Sequence, residues 1–102
     1  KIYPDTIPAL TQWQRSGVQL AILSNFDSRL YTVLQVLGLN QYFSTVTISS
    51  EVGAAKPQPE IFMTALNKYQ CEPHLAWHIG DSFDEDYLGA GGVGLMPMWL
   101  NR

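Results

Sequence analysis

The run AWHIGDSFDED, Ala76–Asp86, decides the fold. A short, mostly apolar stretch from Ala76 to Ile79 stops abruptly at Gly80-Asp81-Ser82, and four of the chain's nine acidic residues then fall within Asp81–Asp86. An apolar run that ends in acids and is followed by a helical pattern is the signature of a buried strand whose C-terminal end opens onto a site. In parallel α/β sheets that edge is where ligands sit.

The segments around it repeat the same grammar. Upstream, Asp5–Arg15 predicts a helix, with Asp5 or Thr6 as cap, Pro8 in the first turn and Gly17 as its stop. Val18–Leu23 predicts a strand, closed by the polar pair Ser24-Asn25. Ser28–Leu37 predicts a helix with Leu30, Val33, Leu34 and Leu37 on one side, and Gly38 ends it. The β-branched Thr45–Ile48 predicts a second strand. Gly53–Pro59 is a turn-rich link, in which Lys56 before Pro57 is expected to be extended. Pro59–Tyr69 predicts a helix with Pro59 near its first position. Downstream, Asp84–Ala90 predicts a short helix curtailed by Gly89, Gly91, Gly92 and Gly94, and Leu95–Trp99 a closing strand with Pro97 at a sheet edge. Strands alternating with helices across short loops predict a doubly wound parallel α/β sheet, here one domain over residues 1–102. The opening helix is unusual in having no strand before it.

Composition excludes several functions. With 46% hydrophobic and 15% charged residues, the chain is globular. Its net charge of −3 and six scattered Lys and Arg argue against nucleic acid or an anionic membrane as partner. No apolar run reaches the ~18 residues of a membrane span. The lone Cys71 has no intrachain partner, so a reducing cytoplasm is the expected location and a half-buried packing role the expected use.

Polar groups recur just after each predicted strand. Ser24 and Asn25 either cap the next helix or, with backbone N–H groups near its N-terminus, hold a phosphoryl group. Lys56 is either a solvated charge or a cation that neutralises phosphate oxygens. Asp84 and Glu85 fit the acidic first turn of a helix. Asp81 fits that less well and fits a magnesium ligand better, with Asp86 one turn on in support. His74 and His78 are expected to be packed residues, and Trp13, Trp77 and Trp99 core or rim.

Taken in order, SNFD, VGAAKPQPEIF and WHIGDSFDEDYLGA resemble motifs II, III and IV of the haloacid dehalogenase-like hydrolase superfamily, nearest the subfamily with a small helical cap between motifs I and II. The resemblance implies a magnesium-dependent phosphomonoester phosphatase acting on a small phosphorylated metabolite through an aspartyl-phosphate. It implies that Ser24, with Asn25 beside it, binds the phosphoryl group. It implies that Lys56 stabilises the nucleophile and the phosphate charge. By the same resemblance Asp81 ligates Mg2+, and Asp86 orients Lys56 or the metal's waters. Glu85 stands where the family often has Asn. Motif I, the Asp-x-Asp strand that supplies the nucleophile, has no counterpart: Lys1–Pro4 is too short and Asp5 falls on a helix. The family places that strand between the strands of motifs II and IV, so Val18–Leu23 and Ala76–Ile79 are expected to lack a shared neighbour. The resulting expectation is a C-terminal portion that is inactive alone and needs the missing N-terminal segment of the same protein as partner. The alternative is a non-catalytic relic or module that binds phosphate and metal. A dehalogenase is a third possibility, opposed by the acid-rich Asp81–Asp86, which dehalogenation does not need.

Overall fold

The structure is a computed structural model that describes residues 5–100. Lys1–Pro4, on which the sequence argument about motif I partly turns, lie outside the described residues.

Helix α1 (Thr6–Arg15) leads to strand β1 (Ala21–Ser24), helix α2 (Arg29–Val36) and strand β2 (Thr45–Ile48). A single turn, α3 (Ser49–Val52), precedes helix α4 (Pro59–Asn67), strand β3 (Trp77–Gly80), a π-helical segment (Phe83–Leu88), helix α5 (Gly89–Val93) and strand β4 (Met96–Trp99). All pairing is parallel, as the alternation predicts. β1 pairs with β2, Ala21 opposite Thr45, and β3 pairs with β4, Trp77 opposite Met96. The two pairs form separate two-stranded sheets, and among the described residues no ladder joins β1 to β3.

Several element boundaries differ from the sequence reading, each for a local reason. The first strand begins at Ala21 rather than Val18, because Gly17 turns left-handed and the Val18 N–H folds back onto the Trp13 carbonyl to cap α1. α4 stops at Asn67 rather than Tyr69, because tight turns take over and Gln70 adopts a positive φ of 51°. α3 was not foreseen. Its Ser49 hydroxyl and Ser50 N–H both donate to the Phe26 carbonyl, which ties the end of β2 to the loop after β1. Lys56 precedes a cis peptide bond to Pro57.

The largest correction concerns the glycines after Asp86. Instead of ending a helix near Ala90, they form one: α5 runs to Val93 and closes at the left-handed Gly94. Packing overrides propensity here. Gly89 and Ala90 are buried, and a Cβ on Gly89 would press on Pro57 and the Phe62 ring.

The core gathers around α4. Ile61, Phe62 and Leu66 pack with Ala90 and Leu95, flanked by Leu23, Val52, Cys71, Ala76 and Val93. Cys71 thus has the half-buried packing place expected of it. Phe62 is fully buried, and truncating such a side chain to alanine costs about 3–5 kcal/mol. Between β1 and β3 the same helix floors an open cleft of about 1370 Å³, lined by Leu20, Ile22, Phe62, Leu66, Ile79 and Met98 among others.

Candidate functional site

The loops that leave β1 and β3 meet the loop before α4 through one chain of polar contacts. Asn25, the first residue after β1, uses both ends of its side-chain amide on Lys56: its Oδ1 accepts from the Lys56 N–H at 2.8 Å, and its Nδ2 donates to the Lys56 carbonyl at 3.1 Å. Lys56 then extends its ammonium to Asp86, with Nζ 2.6 Å from Oδ1. Both side chains are largely shielded, 12% and 4% exposed. The lysine is therefore held by its backbone from one sheet and by its charge from the other.

Asp86 owes its place to the π-helical segment. Ser82 caps that segment, its hydroxyl accepting from the Glu85 N–H, while the Tyr87 N–H donates to the Ser82 carbonyl five residues back. The wider turn lets the Asp86 Oδ2 return to accept from the Ser82 N–H at 3.1 Å. The carboxyl comes to rest over Gly80, so closely that any Cβ at that position would overlap it. On the same face of β3, two residues earlier, His78 brings Nε2 within 2.9 Å of Asp86 Oδ1. Burial works against the Asp86 charge. The Lys56 ammonium, the His78 ring and the Ser82 N–H outweigh it, and the carboxyl sits below its usual range. Burial also lowers His78, and the nearby Lys56 charge adds to this against the opposite pull of Asp86.

Ser24 is the last residue of β1 and Asp81 the first after β3, so both stand at the C-terminal ends of parallel strands. Among the described residues, neither the Ser24 hydroxyl nor the Asp81 carboxylate has a hydrogen-bond or ion-pair partner, whereas Lys56 and Asp86 are engaged with each other. Asp81 is flanked by aromatics: Trp99 Nε1 donates to its carbonyl at 3.0 Å, and Phe83 stacks on Tyr87 and meets Trp99 edge-on. Trp99 and Phe83 are each 46% exposed, a rim rather than core.

The structure thus brings Asn25, Lys56 and Asp86 into direct contact and leaves Ser24 and Asp81 at the C-terminal ends of β1 and β3. Asn25 has a contact that the sequence did not announce, its side-chain amide holding the Lys56 backbone at both the N–H and the carbonyl. At the N-terminus of α2 the Asp27 carboxylate accepts from the Arg29 N–H and Nε. His78 was missed as a polar contact. Its alternation with Trp77 and Ile79 marked it as strand-borne, and only the return of Asp86 makes it polar. No group of three or more His, Cys, Asp or Glu among the described residues is arranged to hold a metal. Asp81 is a lone exposed carboxylate, which fits magnesium as one protein ligand completed by water and phosphate.

Parallel strands with a lysine, a hydroxyl and carboxylates at their C-terminal ends define an α/β domain of the kind that binds ligands at that edge. The family model of haloacid dehalogenase-like hydrolases matches residues 1–94, and the chain belongs to that family. It is 45% identical over 82 residues to the haloacid dehalogenase-like hydrolase domain-containing protein 3 of Bos taurus, covering 80% of this chain and 33% of that protein. It is 36% identical over 103 residues to the glyceraldehyde 3-phosphate phosphatase of Methanopyrus kandleri, covering 100% of this chain and 44% of that one. The crystal structure of a HAD phosphatase from Thermococcus onnurineus superposes with a TM-score of 0.97 at 36% identity, over 100% of this chain and 47% of that chain. The chain therefore spans a third to just under half of the relatives it matches.

Proposed function

We propose that this chain carries the phosphate- and magnesium-binding loops of a phosphomonoester hydrolase, whose aspartate nucleophile arrives on a strand seated in the cleft between β1 and β3. The observation that carries this reading is the Lys56 ammonium fixed between the segments that follow β1 and β3, with Ser24 and Asp81 at those strand ends unpartnered among the described residues. The named phosphatases among the relatives support it.

In this reading the Ser24 hydroxyl donates to an oxygen of the transferring phosphoryl group. The Lys56 ammonium offsets the charge of the phosphate and of the attacking carboxylate, and Asp86 keeps it aimed there. Asp81 would hold Mg2+, which supplies Lewis-acid neutralisation of the phosphate. The carboxylate on that strand attacks phosphorus as the ester P–O bond breaks, the leaving oxygen takes a proton from the second Asp of the Asp-x-Asp strand, and water then cleaves the acyl-phosphate, releasing orthophosphate and regenerating the carboxylate. The substrate is a small phosphorylated metabolite, the partner is the N-terminal segment of the same protein, and the setting is the cytoplasm. No helix among the described residues is long and apolar enough to cross a membrane.

The test is complementation. The chain alone is expected to be inactive on a generic aryl phosphate with magnesium. Fusion to an apolar strand ending in Asp-x-Asp, with its cap, should restore turnover that Lys56→Ala and Asp81→Asn abolish. Turnover by the chain alone, lost on Asp81→Asn, would refute the need for an external nucleophile. The second reading is a phosphate- and metal-binding module without chemistry. It would prevail if the fused protein bound phosphate with magnesium yet turned nothing over.

A further inference from the structure

His78 has no part in the chemistry above, yet it touches the group that aims Lys56. Asp86 Oδ1 accepts from Lys56 Nζ at 2.6 Å and faces His78 Nε2 at 2.9 Å, while Oδ2 takes the Ser82 N–H. The inner face of β3 is a cradle for this carboxyl: Gly80 leaves the room that any Cβ would fill, and His78 lies one strand repeat below. The imidazole is clamped in turn, set edge-on to the buried Phe62 ring with centroids 5.2 Å apart and planes at 89°. An imidazole nitrogen facing a carboxylate oxygen at this distance must carry the proton, because two lone pairs would repel. Only the Nε2–H form then serves the contact while the ring is neutral.

We propose that His78 is a positioning residue, whose Nε2–H fixes Asp86 and through it the direction of the Lys56 ammonium. The competing account is that His78 merely fills space against Phe62. This inference rests on the reading of Lys56 as the phosphate-facing cation. Its test uses no phosphate, so either idea can fail without the other.

The experiment is 15N NMR on the full chain and two variants. In the unmodified chain, the His78 ring should show a protonated Nε2 and a bare Nδ1, and the Lys56 ammonium protons should exchange slowly. His78→Phe keeps an aromatic ring on Phe62 but removes the donor, and Lys56 ammonium exchange should quicken roughly tenfold, the scale of one hydrogen bond to a charged group. His78→Gln, which can present an N–H from the same face, should return exchange toward the original rate. A protonated Nδ1 with a bare Nε2 would overturn the proposal without any variant, as would unchanged Lys56 exchange in a folded His78→Phe protein. If His78→Phe does not fold, the ring nitrogens of the unmodified chain decide the matter.

Discussion

Asp86 is the residue on which the site depends, because three donors converge on its shielded carboxyl. Asp86→Asn would leave the Lys56 ammonium poorly solvated and without a counter-charge. Removing one partner of a buried pair costs about 3–5 kcal/mol, and a drop of that order in urea-unfolding free energy is expected. The pH dependence has a definite sign. His78 titrates below its ordinary value in the folded chain. As pH falls through about 6.5, the unfolded chain takes up a proton at this position that the folded chain refuses, so stability declines. Asp86 acts lower still. Its contribution is present above the ordinary Asp value of about 3.9 and is lost as pH falls through its depressed folded value. Urea midpoints measured downward from about pH 7.5 should fall in the unmodified chain and stay flatter to about pH 5 in His78→Gln. The Lys56–Asp86 contact was legible residue by residue, since the two stand out as charges before a proline and just beyond a strand. The contacts of Asn25 and His78 were not. Asn25 meets Lys56 across 31 positions, and no local pattern announces a contact that long.

At the level of elements, the apolar runs placed every strand to within three residues at its start, because a parallel strand is apolar and ends where polar loops begin; the burial that such runs suggest is not met, since β1, β3 and β4 are half-buried or exposed. The glycine-rich α5 was misjudged for the opposite reason. Propensity counts each glycine as a cost of about 1 kcal/mol, but it cannot see a neighbour that demands the absence of a side chain. The two kinds of glycine can be separated by experiment. Gly92→Ala meets nothing within 4 Å inside α5, so it should stabilise by up to about 1 kcal/mol. Gly89→Ala would bring a methyl to 2.9 Å from the Pro57 Cβ and 3.2 Å from the Phe62 ring. Overpacking of about 1–3 kcal/mol then outweighs the helical gain, and the variant should be the less stable of the pair in thermal melts. The π-helical segment was equally hidden, since nothing in FDEDYL distinguishes a wider turn from an ordinary one.

The molecule as a whole is as compact as a complete domain of its length, with a radius of gyration of 13.1 Å. It nonetheless keeps an apolar cleft open between its two sheets, with Trp77 61% exposed and Met98 45% exposed on the wall. Two strand edges facing such a cleft invite association. The chain alone should therefore bind an apolar dye and melt broadly. The form fused to the strand should lose the dye signal and melt cooperatively, and a sharp melt in a dye-free monomer of the chain alone would contradict this. The Asn25 clamp has a consequence at the same scale. The Lys56 amide proton is held by a side-chain oxygen that follows β1, whereas the Lys56 ammonium is anchored to the segment that follows β3. In hydrogen-exchange terms this single amide is a clock for the release of Lys56 from the loop after β1: it trades with solvent whenever the Asn25 clamp opens, even while every helix stays wound.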